Sequence, residues 1–238
     1  MRDMKKVVLC PNPYRDKGLQ TARKVERLLQ GQGLETCMSV PYRHDGSFSL
    51  PKGVTCVPIA QALRGADLMI CFGGDGTILH CAREAGGFDV PLLGVNMGSV
   101  GFMAELESSE LDLLGKIAAG DFTVEERMML DVKVYRDGET VYSDTAFNDV
   151  LINKAAAARL IQLSVFSGAE GESTLAAFSG DGVILSTPTG STAYSMSAGG
   201  PIVEPASENI ILTPVCAHSL YVRPLVLAPE RIIRVELT

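Results

Sequence analysis

Five residues, Gly73-Gly74-Asp75-Gly76-Thr77, carry the strongest chemical signal in the chain. They follow an apolar run, Asp67-Leu-Met-Ile-Cys-Phe72, and precede a helical pattern opening at Ile78. A buried strand that runs into a glycine turn and then a helix is a ready anion site. Glycine lets backbone N–H groups approach a phosphate closely, and a helix N-terminus favours negative charge. Asp75 is the odd member, because a carboxylate repels polyphosphate. Two roles would account for it: holding Mg2+ on the phosphates, or taking the proton of an attacking hydroxyl. Both belong to phosphoryl transfer. The same residues also fit a plain Gly-Asp-Gly turn between a strand and a helix.

Three further stretches carry polar groups where a core would not need them. Asn96-Met-Gly-Ser-Val-Gly-Phe102 follows a predicted strand and either lines a pocket with backbone or crosses to the next domain. Asn148-Asp149 interrupts an apolar run, Ala146-Phe147 and Val150-Leu-Ile152. Polar pairs there are costly unless hydrogen-bonded, and an amide beside a carboxylate suits the hydroxyls and ring nitrogens of a nucleoside. The densest stretch runs from Gly180 to Gly200 and includes Ser186-Thr-Pro-Thr-Gly-Ser-Thr-Ala-Tyr194. Pro188-Thr-Gly190 predicts a turn, Ser191 is placed to cap a short helix, and Tyr194 is able to stack on a planar ring.

The elements that must position these residues change in kind along the chain. Strands are predicted at 6–12, 34–40, 54–58, 67–72 and 90–96. Helices are predicted around Leu19–Leu29 and over 59–65 and 78–85. Such alternation implies a parallel sheet with helices on both faces, and ligands at the carboxyl ends of its strands. A further helix is predicted at 108–119. Met129–Tyr135 then alternates, Arg136-Asp-Gly138 predicts a hairpin turn, and strands follow at 160–166 and 182–187. The boundary falls near residue 105, giving an α/β domain over 1–105 and a β-rich domain over 106–238.

Composition narrows the function classes. The chain has 238 residues, 46% hydrophobic and 21% charged, enough for a real core. A net charge of -7 argues against a nucleic-acid protein that binds through a broad basic surface. Val7–Cys10 is too short for a signal-peptide core, and no segment has the apolar length of a membrane span, so a cytoplasmic protein is expected. The six cysteines have no CxxC spacing and read as buried thiols rather than a disulfide framework. His44, His80 and His218 are scattered, and no zinc pattern is present.

Taken in order, Gly73–Thr77, Asn96–Phe102, Asn148-Asp149 and Asp181–Gly200 resemble the NAD kinase (ATP-NAD kinase) family over nearly the whole chain. Gly-Gly-Asp-Gly-Thr alone is shared with diacylglycerol and sphingosine kinases. The run Ser186–Tyr194 followed by Ser197-Ala-Gly-Gly200 is far more specific. The resemblance implies a Rossmann-like α/β domain with a parallel sheet, a mainly β C-terminal domain, and an active site drawn from both. It implies transfer of the ATP γ-phosphate to the 2′-hydroxyl of the adenosine ribose of NAD, a divalent metal, usually Mg2+, and a homo-oligomer (dimer or tetramer). Asp75 is then the base. Gly73, Gly74, Gly76 and Thr77 hold phosphate. The NAD-contacting positions are Asp75, Gly76, His80, Asn148, Asp149, Arg159, Ser179, Asp181, Thr192, Ala193, Tyr194, Ser195, Met196 and Ser197. No P-loop lysine motif is present, so glycine backbone and metal are expected to hold the phosphates.

Three departures from the family pattern stand out. Asp149 occupies a position that is more often Glu. Ser99 occupies one that is often basic or amide-bearing. Family members usually continue for tens of residues past the segment matching Arg223–Leu227, so the β-rich domain is expected to be C-terminally incomplete, as a partial sequence or a shortened member, and a missing strand would expose a sheet edge. Two other readings stand beside the kinase: a related kinase acting on a lipid or another alcohol, and a non-catalytic NAD-binding module.

Overall fold

The structure is a computed structural model that describes residues 4–41, 48–98, 101, 103–155, 159–168, 173–219 and 221–237. His44, Ser99 and Phe102 lie outside the described residues. The chain divides into two units, Met1–Val124 and Glu125–Thr238.

The first unit is built by alternation. Strands β1 (Lys6–Pro11), β2 (Glu35–Met38), β3 (Leu68–Gly73), β4 (Leu92–Asn96) and β5 (Leu106–Glu107) form a parallel sheet in the order β2-β1-β3-β4-β5. Side chains alternate across a strand. Val7 and Leu9 of β1, with Leu68, Ile70 and Phe72 of β3, therefore pack on one face, against helix α1 (Gln20–Gly31). Val8 and Cys10, with Met69 and Cys71, pack on the other. That second face is covered by α2 (Ile59–Ala62) and α3 (Asp75–Gly86), through Ala62, Ile78, Cys81 and Ala85. The doubly wound order reverses direction between β1 and β3. That reversal opens a crevice at their carboxyl ends, the usual ligand position in such sheets.

The structure differs from the sequence-based expectation in three places here. The strand expected at 54–58 is a single bridge, Met38 to Cys56. The helix expected at 108–119 is a tighter 3-10 run, Leu111–Lys116. Its Leu111 and Leu114, with Ile117, join the α1 face of the core. Together with β5 this run belongs to the first unit, whose edge lies at Val124 rather than near residue 105.

The second unit is antiparallel. Strands β6 (Leu130–Arg136) and β7 (Glu139–Ala146) form a two-stranded hairpin. Its turn residues Asp137 and Gly138 both have positive φ, 52° and 82°, the geometry that Asp-Gly favours. Strands β8 (Asp149–Asn153), β11 (Gly182–Ser186), β12 (Ile210–Val215) and β13 (Leu225–Leu227) form one sheet, in the order β13-β12-β11-β8. Strands β9 (Ile161–Ser167), β10 (Ser173–Gly180) and β14 (Ile233–Leu237) form another, in the order β10-β9-β14. Leu163, Val165, Phe178, Val183 and Leu212 form the core that the two sheets share. The six cysteines are free thiols, and Cys10, Cys71 and Cys81 are buried.

Candidate active site

Gly73 ends β3, and α3 begins at Asp75, three residues earlier than the apolar periodicity predicts. The N–H groups of Thr77 and Ile78 already donate to the carbonyl of Gly74, at 2.8 and 3.2 Å. Only Gly73 and Gly74 make the turn, and Asp75, Gly76 and Thr77 are the first turn of the helix. An acidic residue there is favoured by the unpaired N–H groups of the helix end.

None of the three glycines has positive φ. They are needed for space rather than backbone freedom. A Cβ on Gly73 would run into the Thr77 side chain, whereas a Cβ on Gly74 or Gly76 would meet nothing within 4 Å. Gly73 thus lets Thr77 fold back over the turn. Gly74 and Gly76 leave backbone open to a ligand. His80 lies one turn beyond Gly76, on the same side of α3, and is partly exposed.

The carboxylate of Asp75 lies against the chain that follows β4. Its Oδ1 accepts the Met103 N–H at 3.4 Å and lies 2.6 Å from where a Cβ of Gly101 would be. Gly101 therefore makes room for the carboxylate. Asn96, at the end of β4, is buried. Its amide donates to Glu107 at 3.1 and 3.2 Å, and its Oδ1 accepts the Gly98 N–H at 3.1 Å. These bonds brace the start of the second glycine-rich loop.

A residue that the sequence reading passed over completes this end of the sheet. Asn12, immediately after β1, is buried, and its Nδ2 donates to Thr77 Oγ1 at 2.9 Å. Its Oδ1 accepts the Tyr14 N–H at 3.0 Å. One side chain thus joins the end of β1 to the first turn of α3. A Pro-Asn-Pro run directly after a buried strand was the available signal.

In the second unit, Asn148 precedes β8 and Asp149 opens it, with Asp149 opposite Ser186 of β11. The Asn148 carbonyl accepts from the Thr187 N–H at 2.8 Å and from Thr187 Oγ1 at 3.2 Å. Three buried polar atoms gather around this point without a hydrogen-bond partner among the described residues: Asn148 Oδ1, Ser186 Oγ and Thr189 Oγ1. Buried polar groups are almost always satisfied, so three orphans on adjoining residues mark a place where a polar ligand or water completes the network. Burial raises the Asp149 carboxyl above its ordinary range, and an N–H bond from Tyr194 offsets part of that shift.

The hydroxyl-rich run folds into a 3-10 turn, Thr189–Thr192, and a short helix α4, Tyr194–Ser197. Ser191 does not cap it. Its Oγ is instead bonded to the Val203 backbone, donating at 3.3 Å and accepting at 3.0 Å. Thr192, Tyr194, Met196 and Ser197 are exposed, and Ala193 is partly exposed. Ser195 faces inward and shares a 2.8 Å hydrogen bond with Thr213. Asp181 links β10 to β11 and pairs with Lys154 at 2.6 Å, a partner that the sequence reading did not name. The Ser179 carbonyl accepts the His218 N–H at 2.8 Å, and Arg159 is exposed just before β9. Among the described residues no three His, Cys, Asp or Glu side chains gather to hold a metal, and no helix is long and apolar enough to cross a membrane.

Known proteins match the chain in both of its units. Residues 7–122 match the ATP-NAD kinase N-terminal domain, and residues 147–238 match the ATP-NAD kinase C-terminal domain. The NAD kinase of Ruminiclostridium cellulolyticum is 37% identical over 233 residues, which are 98% of this chain and 79% of that one. The NAD kinase of Syntrophotalea carbinolica is 39% identical over 236 residues, 98% of this chain and 80% of that one. Among solved structures, yeast NADH kinase complexed with NADH superposes with a TM-score of 0.83 at 27% identity, covering all of this chain and 73% of that one. An NAD kinase from Archaeoglobus fulgidus, at 23% identity and a TM-score of 0.71, shares the fold. With both ATP-NAD kinase domains matched and NAD kinases 37% and 39% identical over nearly all of its length, this chain belongs to the NAD kinase family.

Proposed function

We infer that this protein transfers the γ-phosphate of ATP to the 2′-hydroxyl of the adenosine ribose of NAD, giving NADP. The observation that carries this reading is Asp75 in the first turn of α3, beside open Gly74 and Gly76, in a chain matched by both domains of the family. Asp75 accepts the proton of the 2′-hydroxyl as the new P–O bond forms. The open backbone at Gly74 and Gly76 takes phosphate oxygens, and His80 contacts NAD beyond them.

Asn148 and Asp149 take the nucleoside, and the exposed Tyr194 ring stacks on it. Arg159, Ser179, Asp181, Thr192, Ala193, Ser197 and Met196 supply the remaining contacts, and the inward Ser195 holds α4 in place. Mg2+ would be held chiefly by the substrate phosphates and water, with Asp75 as the carboxylate beside them, since it does not require a protein cage. When bound it neutralises charge on the transferring phosphate. Most of the rate then comes from positioning and charge compensation.

The protein acts in the cytoplasm, on small-molecule substrates, as a homo-oligomer. The β6–β7 hairpin supports the last point, because it pairs with no other strand among the described residues and leaves Val134, Tyr135, Val141 and Tyr142 exposed. The direct test is NADP formation from NAD, ATP and Mg2+, read with an NADP-specific dehydrogenase. Absence of product from folded, NAD-stabilised protein would overturn the kinase reading.

Asp149 supplies a second test with a definite sign. Its carboxyl is raised above the ordinary 3.8 by burial, so the folded state holds the proton to higher pH than the unfolded chain. The resulting cost to stability is absent below the unfolded pKa and complete above the folded one. Asp149→Asn is expected to raise the ligand-free Tm at neutral pH, with the gain vanishing as the pH falls toward 3.8. The same variant loses the charge that receives ribose hydroxyls, so its KM for NAD rises about tenfold or more. A lower Tm at neutral pH would show that favourable contacts, not desolvation, dominate at Asp149.

A further inference from the structure

Phosphates must approach the first turn of α3. The open glycine backbone there offers partial charges, and a side-chain cation would add a full fixed charge to them and to any bound metal.

The sheet order shows which side chain reaches that point. β3 lies between β1 and β4. Arg15 belongs to the segment after β1. Its guanidinium nevertheless lies against Gly98, in the loop after β4: Nη1 is 3.3 Å and Cζ 3.8 Å from the position a Gly98 Cβ would take. Neighbouring strands are about 4.8 Å apart, so the segment and side chain together bridge about two spacings. Such a path crosses the carboxyl end of β3, where Gly73 and Gly74 turn into α3. A Cβ on Gly98 would crowd the guanidinium, which would have to shift by a few tenths of an ångström.

The backbone under Arg15 is clamped. The carbonyl of Asn12 accepts the N–H groups of Arg15 and Asp16, at 3.0 and 2.8 Å. Asp16 is buried and receives the N–H groups of Thr21 and Ala22, at 3.0 and 2.9 Å, in the first turn of α1. Asn12 is in turn tied to Thr77 of the phosphate turn. Two buried polar residues thus fix the origin of an exposed, flexible cation. Among the described residues no carboxylate forms an ion pair with Arg15. A guanidinium in this setting is suited to grip phosphate oxygens in a two-pronged fashion, which a lysine ammonium cannot reproduce.

We propose that Arg15 is a binding residue for the polyphosphate of the phosphoryl donor, held over the β3 turn by Asn12 and Asp16. This rests on the phosphoryl-transfer reading for the identity of the donor, and on geometry alone for the anion site. The role is absent from the motifs that mark the family in this sequence, because Arg15 lies outside all of them.

The test uses Arg15→Gln and Arg15→Lys beside the wild type, with inorganic tripolyphosphate as a probe that needs no turnover. Removing a charged hydrogen-bonding partner is expected to raise the KM for ATP about 10- to 100-fold, while the KM for NAD stays within about twofold. Tripolyphosphate is expected to raise the Tm of the wild type and not of Arg15→Gln, with Arg15→Lys in between. The ligand-free Tm of both variants should match the wild type, since the side chain is exposed.

Unchanged ATP KM and unchanged tripolyphosphate stabilisation in an active Arg15→Gln enzyme would overturn the proposal. So would an equal rise in both KM values, which would assign Arg15 to the diphosphate of NAD. Failure of the wild type to make NADP, with Arg15-dependent stabilisation by tripolyphosphate intact, would overturn the kinase reading and leave the anion site standing.

Discussion

Asp75→Asn is expected to lower kcat by about 10³-fold or more, within the range that a positioned general base supplies, while NAD still protects the protein against heat. The substitution keeps size, shape and place. Asparagine retains an oxygen for the Met103 N–H, now at 3.4 Å, and still fits the space that Gly101 leaves. It remains in the first turn of α3, so the fold should change by no more than about 0.5 kcal/mol. What it loses is a negative charge and the capacity to take a proton. A ribose hydroxyl is a weak nucleophile, and its proton must leave as the bond to phosphorus forms. Turnover by the variant within a few-fold of the wild type would remove Asp75 from the role of base. Loss of NAD protection together with turnover would instead make it a binding residue.

The candidate site was legible in the sequence wherever its parts are close in the chain. Gly73–Thr77 combines strand end, turn and helix start in five residues, and their chemistry follows from types and order alone. The helix start itself was misread by three residues, because apolar periodicity begins at Ile78 while the hydrogen bonds begin at Gly74. Asn12 and Arg15 were illegible for another reason. Asn12 meets Thr77 across 65 positions, through the adjacency of β1 and β3, and nothing local encodes that adjacency. Strand β12 was missed because Pro214 stands within it, next to its last residue and opposite Val183, where a proline ordinarily argues against an inner strand. β10 was missed because Ser173–Gly180 mixes small and polar residues without alternation. The first unit extends past residue 105 because Leu111, Leu114 and Ile117 find their partners on α1. Local pattern reported a change of element there, and tertiary packing decided which core received it.

Two glycine-to-alanine changes should separate stability from chemistry, and Gly190→Ala is the more damaging. Gly190 is buried, and a Cβ there would collide with the backbone oxygen, carbon and Cα of Asn148. Backbone cannot rotate aside as a side chain can. The 3-10 turn must lift away from β8, which breaks the 3.0 Å bond from the Gly190 N–H to Thr187 Oγ1 and disturbs the bonds of Thr187 to the Phe147 and Asn148 carbonyls. Overpacking of this kind costs about 3 kcal/mol or more, near 6–12 °C in Tm for a chain of this size. The same shift displaces Asn148 and Asp149, so NAD affinity falls as well.

Gly74→Ala supplies the contrast. Its added Cβ meets nothing within 4 Å, and its φ of -107° is open to any residue. The Tm should hold within about 2 °C, while turnover falls steeply as the methyl group holds phosphate off the backbone. Similar Tm values for the two variants would mean that the Asn148–Gly190 contact is not close-packed in solution. Full activity in Gly74→Ala would mean that phosphate does not approach the turn at that residue, and would leave Gly76 and Arg15 as its anchors.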